Sequence, residues 1–268
     1  MQSSLSNDRA IQAYILTIDV PGGLRRENAD NIWASTDLTY QFVSGFTVDD
    51  DLSTGYSNLK NFMRYKRALT SREIAVYMGH RKIWEKIIDD GVYAGLVLED
   101  DAQIVNCIEL ETFLHDVLFK LDYKSWSIIK LSTFNSTKTL ASRFVGASEL
   151  VSHKHQPKGA VGYLINPHAA KLLLKRKKIF RPVDEDFAHP WEFGLKVWSS
   201  AAYLLFEESR RLANSRIVHD RHDAYMRSGF GCTKIGLKRN ILKFEKQVRA
   251  ALYKRKLVAS FDGQEGWH

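Results

Sequence analysis

The sequence predicts an α/β fold, a sheet with helices packed on both sides. Three observations carry this. Short apolar or β-branched runs are interleaved along the chain with longer stretches of helical periodicity. The run Leu96-Val97-Leu98 has no turn residue inside it and fits a strand buried on both faces. Three carboxylates, Glu99, Asp100 and Asp101, follow that run at once, where open α/β sheets gather their ligands.

The totals agree with one large α/β domain or a domain with a helical appendage. The chain has 268 residues, is 44% hydrophobic and carries 14 Phe, 11 Tyr and 6 Trp, enough for a substantial core. Five prolines and 26% charged residues argue against a mostly disordered chain. No apolar run approaches the roughly 20 residues that span a bilayer. The first residues lack a basic stretch followed by an apolar one, so no secretory signal is expected. Cys107 and Cys232 lack metal-ligand spacing and suggest a reducing compartment. The net charge of +8 favours an anionic partner: nucleotide, nucleic acid or lipid headgroup.

In order, Ile11 to Ile18 reads as the first strand, ended by Asp19, Pro21, Gly22 and Gly23. A helix through Trp33 follows, with Arg25 and Arg26 near its start as candidates to hold phosphate oxygens. Tyr40 to Phe46 is a second strand, and Thr47 to Asp51 an acidic turn placed to lie over a base or ribose. Thr70 and Glu73 have capping-box spacing ahead of a helix whose apolar face includes Ile74, Met78, Ile83, Trp84 and Ile87. His80 on that helix is a candidate for the nucleotide site, though a lone histidine is more often packed in a core or on the surface.

Beyond the carboxylates, Phe113 to Leu121 suggests a helix and Trp126 to Leu131 a strand, while Phe144 to Val151 has no clear pattern. Gly159 to Ile165 reads as a glycine-led strand, and Pro167 opens a helix. Glycines in a strand suggest close approach of backbone or ligand. Arg181 to Asp186 is a second acidic cluster with a loop-like start, and Ala201 to Phe206 a late strand. His219 and His222 are three residues apart, one helical face, and are candidates for a metal or phosphate. From Lys234 to Lys256 nine Lys or Arg face one acid, Glu245, while Leu237, Ile241, Phe244, Val248 and Leu252 fall at helical spacing. Such a basic amphipathic helix either packs its stripe on the domain or lies at an anionic membrane. The chain therefore divides into 1–225, the α/β domain, and 226–268, the basic helical segment.

The carboxylates carry the chemistry. Three adjacent acids repel one another unless they face water or a cation. Hard oxygen ligands suit Mg²⁺ or Mn²⁺ holding a diphosphate. The plain alternative is a solvated acidic turn.

Five motifs in one order resemble glycosyltransferase family 25, the lipopolysaccharide and lipooligosaccharide galactosyltransferases. They are the first strand with its Arg-rich segment (Ala13 to Arg26), the Leu-Thr-x-x-Glu-Ile helix reaching His80 and Trp84, and Leu-Glu-Asp-Asp (Leu98 to Asp101). Gly-x-x-Gly-Tyr-Leu-Ile with its following helix (Gly159 to Leu173) and Pro-Val-Asp (Pro182 to Asp184) complete the set. The sequence departs from the pattern at Arg72, where the family has Gly, and at Gly79, where it has Ser. Its first strand ends in Thr-Ile-Asp-Val-Pro rather than Asn-Leu-Asp-Arg.

The resemblance implies a GT-A-like nucleotide-binding sheet and an inverting, metal-dependent transfer of a hexose, galactose by preference, from a UDP-sugar to a lipid-linked oligosaccharide. Glu99, Asp101 and His219 are then the expected ligands of Mn²⁺ or Mg²⁺. Thr17, Arg25, Arg26, His80 and Asp100 are expected at the donor, and Asp184 or Asp186 as the base. The expected place is the cytoplasm, with peripheral association at an anionic membrane, and nucleic acid is not an expected partner. Two rivals stand beside this: a metal-dependent nuclease or nucleotidyltransferase, and a non-catalytic binding module working through its basic helix.

Overall fold

The computed structural model describes residues 9–132, 138–208 and 232–262. Its centre is an eight-stranded mixed sheet. β1 (Ile11–Thr17) pairs in parallel with β2 (Tyr40–Ser44) on one side and β3 (Ala94–Glu99) on the other. β8 (Gly162–Ile165) lies antiparallel to β3 and to β5 (Ile128–Lys130). β9 (Val197–Ser200) continues parallel to β5, and the hairpin of β6 (Thr139–Val145) and β7 (Ser148–His153) closes the far edge. β4 (Ala102–Ile104) and β10 (Leu205–Glu207) form a separate two-stranded ribbon.

Both faces of the sheet are covered, as its near-continuous apolar strands require. On one face α1 (Leu24–Trp33) and α4 (Cys107–Lys120) bury Ala29, Trp33, Leu110, Phe113, Leu114 and Val117 against Ala13, Ile15, Leu96 and Leu98. On the other, α3 (Ser71–Asp89), α5 (Pro167–Leu174) and α6 (Val183–Phe187) cover Tyr14, Val97, Ile128 and Tyr163. The short α2 (Asn58–Arg64) precedes α3. The α/β prediction is borne out.

The capping box is present: Glu73 N–H donates to Thr70 Oγ1 at 3.1 Å, and Thr70 N–H donates to Glu73 Oε2 at 3.1 Å. Thr70→Ala is expected to cost about 1 kcal/mol, read as a lower urea midpoint with an unchanged slope. Gly79 lets α3 lie close on β1, since a Cβ there would stand 2.7 Å from Leu16 Cδ1. The departure at this position therefore has a packing reason.

Three stretches are defined further. The acidic cluster has the loop-like start expected of it, at Arg181 and Pro182, and residues 183–187 then form a short helix. The strand expected over Ala201 to Phe206 is mostly absent: residues 201–204 are a bent connection after β9, and only Leu205 and Phe206 of that run lie in a strand, β10. The unclear stretch around Phe144 is the β6–β7 hairpin, turned at Gly146 with φ +62°.

The C-terminal helix α7 (Cys232–Asp262) packs on this domain. Leu257 joins the core face that holds α1 and α4, Tyr253 Oη accepts from Val197 N–H at 3.2 Å, and Lys246 pairs with Glu185 at 3.1 Å. The described residues contain no helix long and apolar enough to cross a membrane.

Candidate active site

β3 is buried along its length, and Glu99 at its carboxyl end is the first side chain to emerge. Asp100 and Asp101 follow in the turn before β4, at the end where β1 also stops. Thr17, the last residue of β1, donates from Oγ1 to Asp100 Oδ2 at 2.7 Å and accepts Asp19 N–H at 3.0 Å. Asp19 in turn accepts the backbone N–H of Arg25 at 3.1 Å, which sets the start of α1. The Arg25 guanidinium then bridges the acids, 2.9 Å from Asp100 Oδ1 and 3.3 Å from Asp101 Oδ2.

One guanidinium does not balance three carboxylates. Burial, then the charges of Asp101 and Asp100, push the Glu99 carboxyl up to about 8. Asp100 is also raised, by burial first, with Arg25 and Thr17 pulling the other way. The donor set is all oxygen, negative in excess and at the strand end, which in chemistry fits Mg²⁺ or Mn²⁺. Among the described residues no three His, Cys, Asp or Glu converge as a ready metal-holding group, since Arg25 sits between Asp100 and Asp101. His219 lies outside the described residues.

His80 is completely buried on α3, behind the carboxylates. Trp84 Nε1–H donates to Tyr163 Oη at 2.9 Å, and the same oxygen lies 2.9 Å from His80 Nδ1. His80 Nε2 stands 3.7 Å from Glu99 Oε1, beyond hydrogen-bond range, and meets no hydrogen-bond partner among the described residues. Burial holds the imidazole pKa down to about 3, so the ring stays neutral.

The two carboxylates of the second cluster have different fates. Asp184 is half-buried; its Oδ2 accepts Gly159 N–H at 3.2 Å, and its charge is felt by Glu99, His80 and Lys130. Gly159 has φ +91°, a conformation that favours glycine and aims this N–H. Asp186 is fully buried, bonded to Arg181 Nε and Tyr77 Oη and 3.1 Å from Arg176 Nε. With both oxygens taken and no exposure, Asp186 is a structural hub and cannot meet an acceptor hydroxyl.

Three other groups named from the sequence have protein partners of their own. Gly162 is close-packed by protein, not ligand: a Cβ there would stand 2.3 Å from Leu205 Cδ1. Arg26 stacks its guanidinium 4.4 Å from the Phe42 ring centre, away from the acids that Arg25 holds. The Thr47–Asp51 turn is closed on itself, with Thr47 N–H donating to Asp50 Oδ2 at 2.6 Å.

Sequence reasoning passed over Lys130, which lies fully buried in β5 and donates from Nζ to Pro157 O. Burial holds its pKa down to about 7, with Asp184 opposing. A lysine inside the apolar run Ile-Ile-Lys-Leu was the available signal. Tyr163, whose Oη meets both Trp84 and His80, stood in the Gly-x-x-Gly-Tyr-Leu-Ile motif with no role attached to it.

The model of a family described as glycosyltransferase family 25 (LPS biosynthesis protein) matches residues 21–187. The chain is 29% identical over 195 residues to a glycosyltransferase 25 family member of Aedes aegypti, spanning 60% of this chain and 31% of that one. It is 25% identical over 167 residues to the lacto-N-neotetraose biosynthesis glycosyltransferase LgtB of Neisseria gonorrhoeae, spanning 59% of this chain and 58% of that one. The chain thus covers well under two thirds of either relative. Among solved structures, a 4-diphosphocytidyl-2C-methyl-D-erythritol synthase from Anaerococcus prevotii aligns at 12% identity and TM-score 0.37, over 78% of this chain and 96% of that one.

Proposed function

This chain belongs to glycosyltransferase family 25, and from that premise we propose that it moves a hexose, galactose by family expectation, from a UDP-sugar to a lipid-linked oligosaccharide of the lipopolysaccharide type. The observation that carries this reading is the Glu99-Asp100-Asp101 cluster at the carboxyl end of β3, with Asp184 electrostatically coupled to it. Glu99, Asp100 and Asp101 would hold Mn²⁺ or Mg²⁺. When bound, the cation neutralises charge on the departing diphosphate.

The chain's own residues supply the rest. Thr17 fixes the Asp100 carboxylate in position. Arg25 is half-exposed and has reach to exchange a carboxylate for a phosphate oxygen. His80 stays neutral behind Glu99, its Nε2 3.7 Å from Glu99 Oε1, and adds no charge to the acids. Asp184, held by the Gly159 N–H, takes the acceptor hydroxyl's proton as the sugar passes through an oxocarbenium-like state.

Thermal stability with Mn²⁺ and a nucleotide panel tests the reading. UDP and one UDP-sugar, each at about 100 times Kd, are expected to stabilise the fold by about 2.7 kcal/mol when Mn²⁺ is present, while GDP and ATP do nothing. No shift with any uridine nucleotide moves the weight to the nuclease reading.

A pH series adds an independent check. The folded pKa of Glu99, about 8, lies above its ordinary 4.5. The native state therefore holds that proton more tightly than the unfolded chain, and this group's contribution to stability falls as pH rises from about 4.5 to about 8. Melting temperatures are expected to drop across that window without metal and to hold level with Mn²⁺. Parallel curves with and without Mn²⁺ would show that no cation meets these acids.

The membrane part of the proposal rests on α7. The helix meets the domain with Lys246, Ala250, Tyr253 and Leu257 and turns Ile241, Phe244, Val248 and Leu252 outward, between 44% and 68% exposed. An outward apolar stripe on a strongly basic helix fits the surface of an anionic bilayer. Phe244→Asp with Val248→Asp is expected to weaken sedimentation with phosphatidylglycerol vesicles by about tenfold or more. Unchanged vesicle binding would remove the membrane from the proposal.

A further inference from the structure

A cavity of about 570 Å³ lies between the turn after α2, the α6 region and α7. Seven Lys or Arg side chains line it against three carboxylates. Those carboxylates already have partners. Glu185 is 3.0 Å from Lys158, 3.1 Å from Lys246 and 3.9 Å from Lys66. Glu192 is 2.5 Å from Arg181 and 3.4 Å from Arg64, and it also pairs with Arg176 outside the cavity at 2.7 Å. Lys66 is the misfit. Its pKa is lowered by burial and then by the charge of Lys158 beside it, and with Lys246 three cations crowd one carboxylate. His189 adds no charge, since burial holds it down to about 3.

A second observation points the same way. Trp191 lines the cavity, and its buried indole Nε1 meets no acceptor among the described residues. A buried donor without a partner is costly and marks a place where a ligand oxygen fits. The cavity also adjoins the candidate base. Glu185 is the neighbour of Asp184 on α6, and Lys158 precedes the Gly159 that holds Asp184.

We propose that this cavity binds an acidic acceptor saccharide, its phosphate or carboxylate oxygens held by Lys66 and Lys158 and a further oxygen by Trp191 Nε1–H. The inference rests on the transferase reading, with Asp184 as the base, and names the class of acceptor that reading leaves open.

Titration calorimetry on the full chain at low salt, without metal or nucleotide, tests it. The probes are glucose 6-phosphate, glucuronate, glucose, inorganic phosphate and glycerol 3-phosphate. Glucose 6-phosphate and glucuronate are expected to bind, glucose not to bind detectably, and the two sugar-free phosphates to bind at least about tenfold more weakly. Lys66→Met is expected to weaken glucose 6-phosphate about tenfold while the melting temperature holds or rises, because a crowded cation is removed. A purely structural lysine would lower it. Trp191→Phe is expected to weaken both acidic sugars and leave inorganic phosphate unchanged.

Equal binding of glucose overturns the proposal, as does unchanged affinity in Lys66→Met. Inorganic phosphate as tight as glucose 6-phosphate reduces the cavity to a simple anion site. Glycerol 3-phosphate as tight assigns it to a lipid headgroup instead. Should Lys66→Met fail to fold, Lys158→Met gives the same readout. Because no sugar nucleotide is present, this test can fail while the uridine-nucleotide shift succeeds, and the reverse.

Discussion

Asp101→Ala is expected to lower metal-dependent turnover of the sugar nucleotide by about 10³-fold while the protein stays folded. The side chain stands at the strand end, and its ion pair is with Arg25, a half-exposed residue. Removing it takes away a carboxylate needed for a cation and adds no strain to the core. It also relieves Glu99, whose pKa is raised in part by Asp101 and is expected to fall in the variant. Asp100→Ala is expected to behave similarly, with a further small loss because Thr17 Oγ1 loses its acceptor. Initial rates with Mn²⁺, alongside circular dichroism, check both. Near-normal turnover in the two variants together would end the transferase reading of these acids.

Asp186→Ala should do the opposite, unfolding the protein rather than disarming it. The residue is fully buried and is the shared acceptor for Arg176, Arg181 and Tyr77. Cutting it out takes the shared acceptor from Arg181 Nε, Arg176 Nε and Tyr77 Oη and leaves Glu192 alone to hold the Arg181 guanidinium, and breaking a buried pair from one side costs about 3–5 kcal/mol. Urea denaturation measures this directly. Asp184→Ala is the control. It lies two residues away on the same short helix, is half-buried, and is expected to lose turnover with little loss of stability. If Asp186→Ala were stable and Asp184→Ala active, the roles assigned to the two acids would be exchanged.

The sheet was legible wherever strands are apolar on both faces. β1, β3 and β8 carry runs that no surface segment would tolerate, and Thr70 with Glu73 announced α3 by its cap. The β6–β7 hairpin was hard to read because β6 lies at the sheet's edge with half-polar, exposed residues. Ala201 to Phe206 misled for the converse reason: small and apolar residues there fill a bent connection between two strands. Of the site, the residues adjacent in sequence were visible and the assembled ones were not. Glu99, Asp100 and Asp101 are consecutive, whereas the hub on Asp186 joins Tyr77, about a hundred residues away on α3, to Arg176 and Arg181 in the connection between α5 and α6. Acids at 184 and 186 look alike in a string of letters. Only packing decides which one faces water.

The two faces of α7 also set a length scale. Phe244 and Lys246 differ by two residues, about 200° around a helix, so one points away from the domain while the other points at Glu185. With the outward stripe resting on a bilayer, the helix becomes a spacer about 10–12 Å thick between the lipid surface and the cavity below. An acceptor anchored in that bilayer must climb over the spacer before its terminal hydroxyl reaches Asp184. The helix would then act as a ruler, passing over glycans too short to make the climb and admitting those already extended by earlier transfers.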